Sequence, residues 1–286
     1  MFPCFFASDL HGHVDRYEKL LERVREERPR AVLLGGDLLP NHLALRALDF
    51  GHADFIGGWL APAFRRLADD LGPAAPRVLV ILGNDDPRFL EASVLEAAAG
   101  GVWEYVHDRT VELGAWTVTG YAYVPPTPFQ LKDWERYDVS RFVDPGAVSP
   151  EAGRRTVPVP ERETRWSTIA RDLARLAGKA DQSRAVWLFH TPPHDTKLDR
   201  AALDGKMVDH VPLDVHVGSI AIRRFIEKRQ PAVTLHGHVH ESARLTGRWQ
   251  DRIGSTHLFS AAHDGGELAL VRFDPDHPEQ AERVLL

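Results

Sequence analysis

Five times along the chain, a short apolar run stops at a residue able to ligate a metal. The runs read FFASD, AVLLGGD, VLVILGND, VWLFH and AVTLHGHVH. Runs this short and apolar throughout, rather than alternating, are expected of strands covered on both faces. A helical period follows the first: Val14, Tyr17, Leu20, Leu21 and Val24 share a face, with Arg and Glu opposite, until Pro29. A longer, mostly helical region to about Asp70 precedes the third strand, predicted at 77–82. Strand, helix, strand, helix, strand predicts parallel β-α-β units and an α/β fold.

The polar residues gather at one edge. Asp9, Asp37 and Asn84 each lie just beyond the C-terminal end of a predicted strand, which is where open α/β sheets bind ligands. Two later strands, 185–189 and 232–235, end at His190 and at the run His236-Gly237-His238-Val239-His240. The edge therefore collects Asp9, His11, Asp37, Asn84, His190, His238 and His240.

Beyond Gly101 the pattern shifts to short strands at 102–106, 110–113 and 115–121, several hairpin-like, and later at 256–260 and 267–273. Helices are expected at 167–176 and 220–227. The stretch from about 125 to 165 is rich in proline, tryptophan and charge, and reads as a long insertion over the sheet that covers the active site. No repeat or linker divides the chain, so residues 1–286 are expected to form one domain.

Composition narrows the chemistry. Cys4 is the only cysteine, so no intrachain disulfide or thiolate cluster can form, and its apolar surroundings suit a buried packing residue. Acidic residues outnumber basic ones 41 to 35, for a net charge of −6. That balance does not favour a broad nucleic-acid or anionic-membrane surface. No stretch approaches the ~18 apolar residues of a membrane span, and a cytoplasmic, reducing location is expected.

Imidazoles, carboxylates and one amide, without thiolates, make a site of borderline hardness, suited to Mn²⁺, Fe or Zn²⁺ rather than Cu(I) or Ca²⁺. Seven ligands are too many for one catalytic ion that must keep a position open. They suit two divalent ions sharing a carboxylate, about 3.5–4 Å apart, as in displacement at phosphorus.

The motifs SDLHGH, GGD, GND, FHTPPHDTKLD and GHVH, in this order and each after an apolar strand, resemble the calcineurin-like metallophosphoesterases. The loop HTPPHDTKLD resembles the Icc-related, YfcE-like branch in particular. The resemblance runs from Asp9 to His240. It implies a four-layer α/β/β/α sandwich of the metallophosphoesterase type, with Asp9, His11, Asp37 and His240 on one ion and Asp37, Asn84, His190 and His238 on the other. It implies a phosphoesterase acting by in-line attack of a hydroxide shared by the two ions, with Asn84 also helping to bind the phosphoryl group. His236 becomes an outer or structural residue.

One position departs from the pattern. Many members carry histidine where this chain has Asp85, to assist the phosphate and protonate the leaving group. A carboxylate beside two cations stays ionised and repels a dianion. This favours phosphodiesters over phosphomonoesters. His194, four residues past His190, is the candidate replacement acid, and Lys197 the candidate holder of a phosphate oxygen.

A phosphomonoesterase, a nuclease on the same site, or a metal-binding scaffold without turnover are the alternative readings. A scaffold should show broken ligand motifs, and these are intact. The expected partner is a small phosphate ester, with no membrane; nucleic acid is expected only as a small or single-stranded substrate, and the oligomeric state is open. Among other residues, Asp86 reads as a turn residue before Pro87. His13 is weighed equally as outer or structural, His42 reads as a solvated helix start, and Phe129, Trp134 and Trp166 read as anchors of the insertion or pocket walls.

Overall fold

The apolar runs form the parallel strands of two sheets in the computed structural model, which describes residues 2–40 and 54–286. Strands β1 (Cys4–Ala7), β2 (Ala31–Gly35) and β3 (Arg77–Ile81) run parallel, joined by a two-residue β4 (Glu104–Tyr105). β5 (Arg109–Leu113) and β6 (Trp116–Tyr121) make the expected hairpin. It opens a second sheet through β7 (Ala185–Phe189), which lies parallel to β6. A small separate hairpin, β8 (Met207–Val208) and β9 (Val211–Pro212), intervenes. The chain then adds β10 (Val233–His236), β11 (Gln250–Ile253) and β12 (Thr256–Ser260) to the second sheet, and β13 (Ala269–Phe273) and β14 (Glu282–Leu285) to the first. The orders are β14-β13-β1-β2-β3-β4 and β11-β12-β10-β7-β6-β5.

The two six-stranded sheets pack face to face, β2 against β7 and β3 against β6. Helices cover the outer faces. Helix Val14–Glu27 buries Tyr17, Leu20, Leu21 and Val24 and packs on helix Ala61–Leu71. Helices Ile169–Ala177 and Ile220–Arg229 pair on the other side. The layers are therefore α/β/β/α. Every residue of β1, β2, β7 and β10 is buried, as strands covered on both faces require.

Edge elements escape the sequence pattern. β11 alternates exposed and half-buried residues, and β14 is mostly half-buried or exposed. Such short edge strands carry no apolar run. Helix Glu91–Ala99, also unanticipated, buries only Val94 and Ala97. Among the described residues, no helix is long and apolar enough to cross a membrane.

The insertion is tied to the sandwich by polar contacts. Asp138 accepts N–H bonds from Ile220 and Ala221 and the Ser219 hydroxyl, at the N-terminus of the helix Ile220–Arg229. Asp133 accepts the Arg88 and Thr156 N–H groups. Trp134 is fully buried, whereas Phe129 and Trp166 are 59% and 52% exposed, so of these three aromatics Trp134 alone anchors the insertion. Lys132 and Glu135 pair at 2.5 Å with side chains 0% and 1% exposed, and Lys132 also donates to the Thr127 carbonyl. Removing one partner strands the other charge out of water. Lys132→Ala should cost about 3–5 kcal/mol in chemical denaturation, and a loss below about 1 kcal/mol would contradict the pairing.

Candidate metal centre

The five motif loops meet where the parallel strands of both sheets end. Asp9 and Asp37 follow β1 and β2, and Asn84 follows β3; His190 follows β7, and His238 and His240 follow β10. Donor atoms of Asp9, His11, Asp37 and His240 all lie within 4.8 Å of one another, as do those of Asp37, His190 and His238. Asp37 belongs to both groups.

The separations are those of donors that share a cation. His11 Nε2 and His240 Nε2 face each other at 3.3 Å, and His240 Nε2 is 3.1 Å from Asp9 Oδ1. His190 Nε2 is 3.2 Å from Asp37 Oδ2 and 3.0 Å from Asn84 Oδ1. Donors held about 2.1 Å from one ion lie about 3.0–3.4 Å from each other, so these separations fit the metal groups proposed. The remaining nitrogen of His190, Nδ1, donates to the Gly35 carbonyl at 2.8 Å, which fixes the tautomer that leaves Nε2 free to ligate.

The loops are strained and closely knit. Asp9, His11, Asp37 and His238 all have left-handed backbones, with φ of 57°, 45°, 51° and 72°. Each such conformation costs on the order of 1 kcal/mol or more and persists where surrounding contacts dictate it. Here they do: His11 N–H donates to the Asp37 carbonyl, His238 N–H to Asp9 Oδ1, and Asp85 N–H to Asp37 Oδ1. Ser8 Oγ donates to Asp9 Oδ2. Two glycines are dictated by close approach. A Cβ on Gly83 would sit 2.3 Å from Asp37 Oδ1, and one on Gly237 would sit 2.6 Å from Asp9 Oδ2.

Charge and burial compete at the titratable residues of the cluster. Burial alone would raise Asp9, but the hydrogen bond and charge of His240 hold it well below the usual carboxylate range. Burial would lower His190, yet Asp37, by charge and hydrogen bond, and then Asp9 push it up to about 10. His240 is lowered by burial and raised further by Asp9, to about 9. His238 is held down to about 4 by burial and the charge of His190. Asp85 is pushed up to about 6 by burial and then by Asp37; two adjacent cations would pull it back toward the carboxylate.

A pH dependence follows. In the metal-free protein His190 and His240 keep protons that unfolded imidazoles lose near ~6.5. Their contribution to stability is complete below that pH and is lost as pH climbs through about 9 and about 10. Ligation requires both rings neutral, so binding metal at pH 7 should release protons. Mn²⁺ affinity should rise roughly tenfold per displaced proton per pH unit between pH 7 and 8. Calorimetric titrations in buffers of different ionisation enthalpy read this directly; a pH-independent affinity with no proton release would contradict it.

The other nominated residues have hydrogen-bond partners outside this cluster. His194 Nε2 pairs with Asp214 Oδ2 at 3.1 Å, and its ring faces His216 at 5.9 Å. Lys197 is exposed; its backbone N–H donates to Asp251 and its carbonyl accepts from Ser242 and Thr246. Neither side chain hydrogen-bonds a residue of the metal cluster. His236 is fully buried and neutral, lowered to about 3 by burial, and bonds to the Thr191 carbonyl and Thr234 hydroxyl. It therefore ties β10 to the residue after His190. His13 is exposed and caps nothing with its side chain. His42 lies outside the described residues. Asp86, read as a turn residue, is fully buried, and its carboxylate accepts three backbone N–H groups.

Two β-sheets whose strand ends converge on His/Asp clusters sharing one aspartate define an architecture suited to a metal-dependent hydrolase. Residues 2–242 match the calcineurin-like phosphoesterase family, and the chain belongs to it. No curated protein sequence matches it at a significant level. Among solved structures it is similar to TT1561 of Thermus thermophilus, with 16% identity, a TM-score of 0.57 and coverage of 99% of this chain and 98% of that one. It is also similar to a protein described as a dimetal phosphatase from Danio rerio, with 14% identity, a TM-score of 0.53 and coverage of 95% and 91%. At these identities the likeness is one of fold.

Proposed function

We propose that this chain is a dinuclear metal-dependent phosphoesterase that prefers phosphodiesters. The observation that carries the reading is the shared Asp37, which belongs to both donor groups. Two divalent ions, Mn²⁺, Fe or Zn²⁺, would supply a nucleophile from water at neutral pH and neutralise charge on the phosphoryl oxygens. Asp9, His11, Asp37 and His240 would hold one ion, and Asp37, Asn84, His190 and His238 the other.

The chain's own residues do the positioning. Asp9 is fixed by Ser8 and the His238 N–H, and Asp37 by the Asp85 N–H. The Asn84 amide turns Oδ1 toward His190 and donates from Nδ2 to Asp85 at 3.1 Å. This amide therefore points its oxygen toward the ligands and orients the neighbouring carboxylate. Asp85 sets a carboxylate beside Asp37 and Asn84, where it would repel a dianionic monoester more than a diester with one charge, and this supports the preference for a diester. The proton for a poor leaving group is assigned to His194, whose Nε2 lies 3.1 Å from Asp214 Oδ2. Lys197 is the candidate phosphate contact beside it.

A small, soluble phosphate ester is the proposed substrate class. The test compares bis-p-nitrophenyl phosphate with p-nitrophenyl phosphate on protein stripped with chelator and reloaded with Mn²⁺. Faster diester cleavage supports the preference; faster monoester cleavage overturns it. His194→Ala should slow an alkyl ester while sparing a nitrophenyl ester. Equal effects on both would remove His194 from the proton transfer.

A further inference from the structure

Two residues outside the ligand set meet where the insertion touches the metal loops. Asp86 is 0% exposed. Its Oδ1 accepts the Leu39 N–H at 2.7 Å, and its Oδ2 accepts the Leu38 N–H at 3.1 Å and the Gly83 N–H at 2.8 Å. Leu38 and Leu39 directly follow Asp37, and Gly83 directly precedes Asn84. One carboxylate thus ties the backbone beside two candidate ligand positions in the loops that follow different strands, after Asp37 and before Asn84. The Asp86 carbonyl in turn accepts the indole N–H of Trp134 at 2.8 Å. Trp134 is itself 0% exposed, packed against His107 and Tyr123 at ring separations of 5.1 and 5.6 Å, with the Arg88 guanidinium 5.1 Å from its ring.

The geometry points to Asp86 and Trp134 as positioning residues for the dinuclear centre, through which the insertion sets the spacing between Asp37 and Asn84. This rests on the metal reading of the site. Asp37 sits in a left-handed conformation with φ of 51°, and nothing in its own residue type enforces it. The successive N–H groups of Leu38 and Leu39 both point at Asp86, which holds the turn in that conformation. Gly83, the third donor, is also the residue whose Cα packs on the Asp37 carboxylate, so the same clamp fixes that approach. Asp86 touches no reacting atom. Its effect is exerted through the orientation of Asp37 and Asn84, as outer partners of metal ligands act elsewhere. The insertion, by this argument, is a brace for the metal loops, and coupling is reciprocal: loading metal should protect residues around Trp134 from exchange.

The test measures Mn²⁺ binding on folded protein, with far-ultraviolet circular dichroism and metal-free melting as controls. Asp86→Asn keeps the size of the side chain but replaces one acceptor by a donor facing N–H groups. It should weaken Mn²⁺ binding about 10- to 100-fold at one or both sites. Trp134→Phe removes one N–H and should weaken it about 3- to 10-fold. Trp166→Phe, on the exposed ring, should leave it unchanged. A residue that merely stabilises the fold would lower melting without moving the affinity of the folded protein. If both variants fold and bind two ions as tightly as the parent chain, the inference is overturned. Should Asp86→Asn fail to fold, an unchanged affinity in Trp134→Phe overturns it alone. A parent chain that binds no Mn²⁺ would instead remove the metal reading, an outcome distinct from parent and variants binding alike.

Discussion

Asp37→Ala should bind neither ion stably and should lose at least about 10³-fold in kcat/KM for a phosphodiester, because several kcal/mol of charge stabilisation depend on both ions. No other residue is expected to have so large an effect. Asp37 belongs to both donor groups, Asp85 N–H is anchored on it, and Gly83 packs against its oxygen. His11→Ala or His238→Ala removes one donor from one group only, and one ion should persist at reduced affinity. The check is metal content after dialysis, set beside turnover. Two ions retained by Asp37→Ala would show that the two groups do not share this carboxylate.

Asp85→His is expected to act in the opposite direction. It replaces a half-buried carboxylate, pushed up to about 6 by burial and Asp37, with a group that can carry a proton and a positive charge beside the substrate. General acid catalysis contributes about 10²–10⁴-fold where it operates, so monoester turnover should rise by about 10²-fold or more relative to diester turnover. The backbone N–H of residue 85, which holds Asp37, survives the change. An unchanged ratio of monoester to diester rates would mean that Asp85 does not set the preference.

The candidate ligands are legible because nearly all of them lie at or just past the end of an apolar run. A buried strand needs no polar residue at its end, so Asp9, Asp37, Asn84 and His190 stand out without any knowledge of where the strands lie in space. The parallel units follow from the helical period of Val14 to Val24 and from the short apolar runs. What stays hidden depends on contacts across long separations in sequence. Asp86 precedes Pro87 and looks like a turn, yet its partners Leu38 and Leu39 are 48 and 47 residues away and offer only backbone N–H groups. Trp134 meets Asp86 across 48 residues. The partner of His194 is Asp214, 20 residues on, with no periodicity to announce it. Edge strands β11 and β14 go unread because half-exposed strands lack the apolar runs that mark the core.

The most direct test of the dinuclear reading is the initial rate of bis-p-nitrophenyl phosphate hydrolysis as Mn²⁺ is added back to chelator-stripped protein, one equivalent at a time. The account predicts little turnover with the first equivalent, a steep rise with the second, and saturation at two ions per chain. Full activity at one ion, or none with two bound, would contradict it.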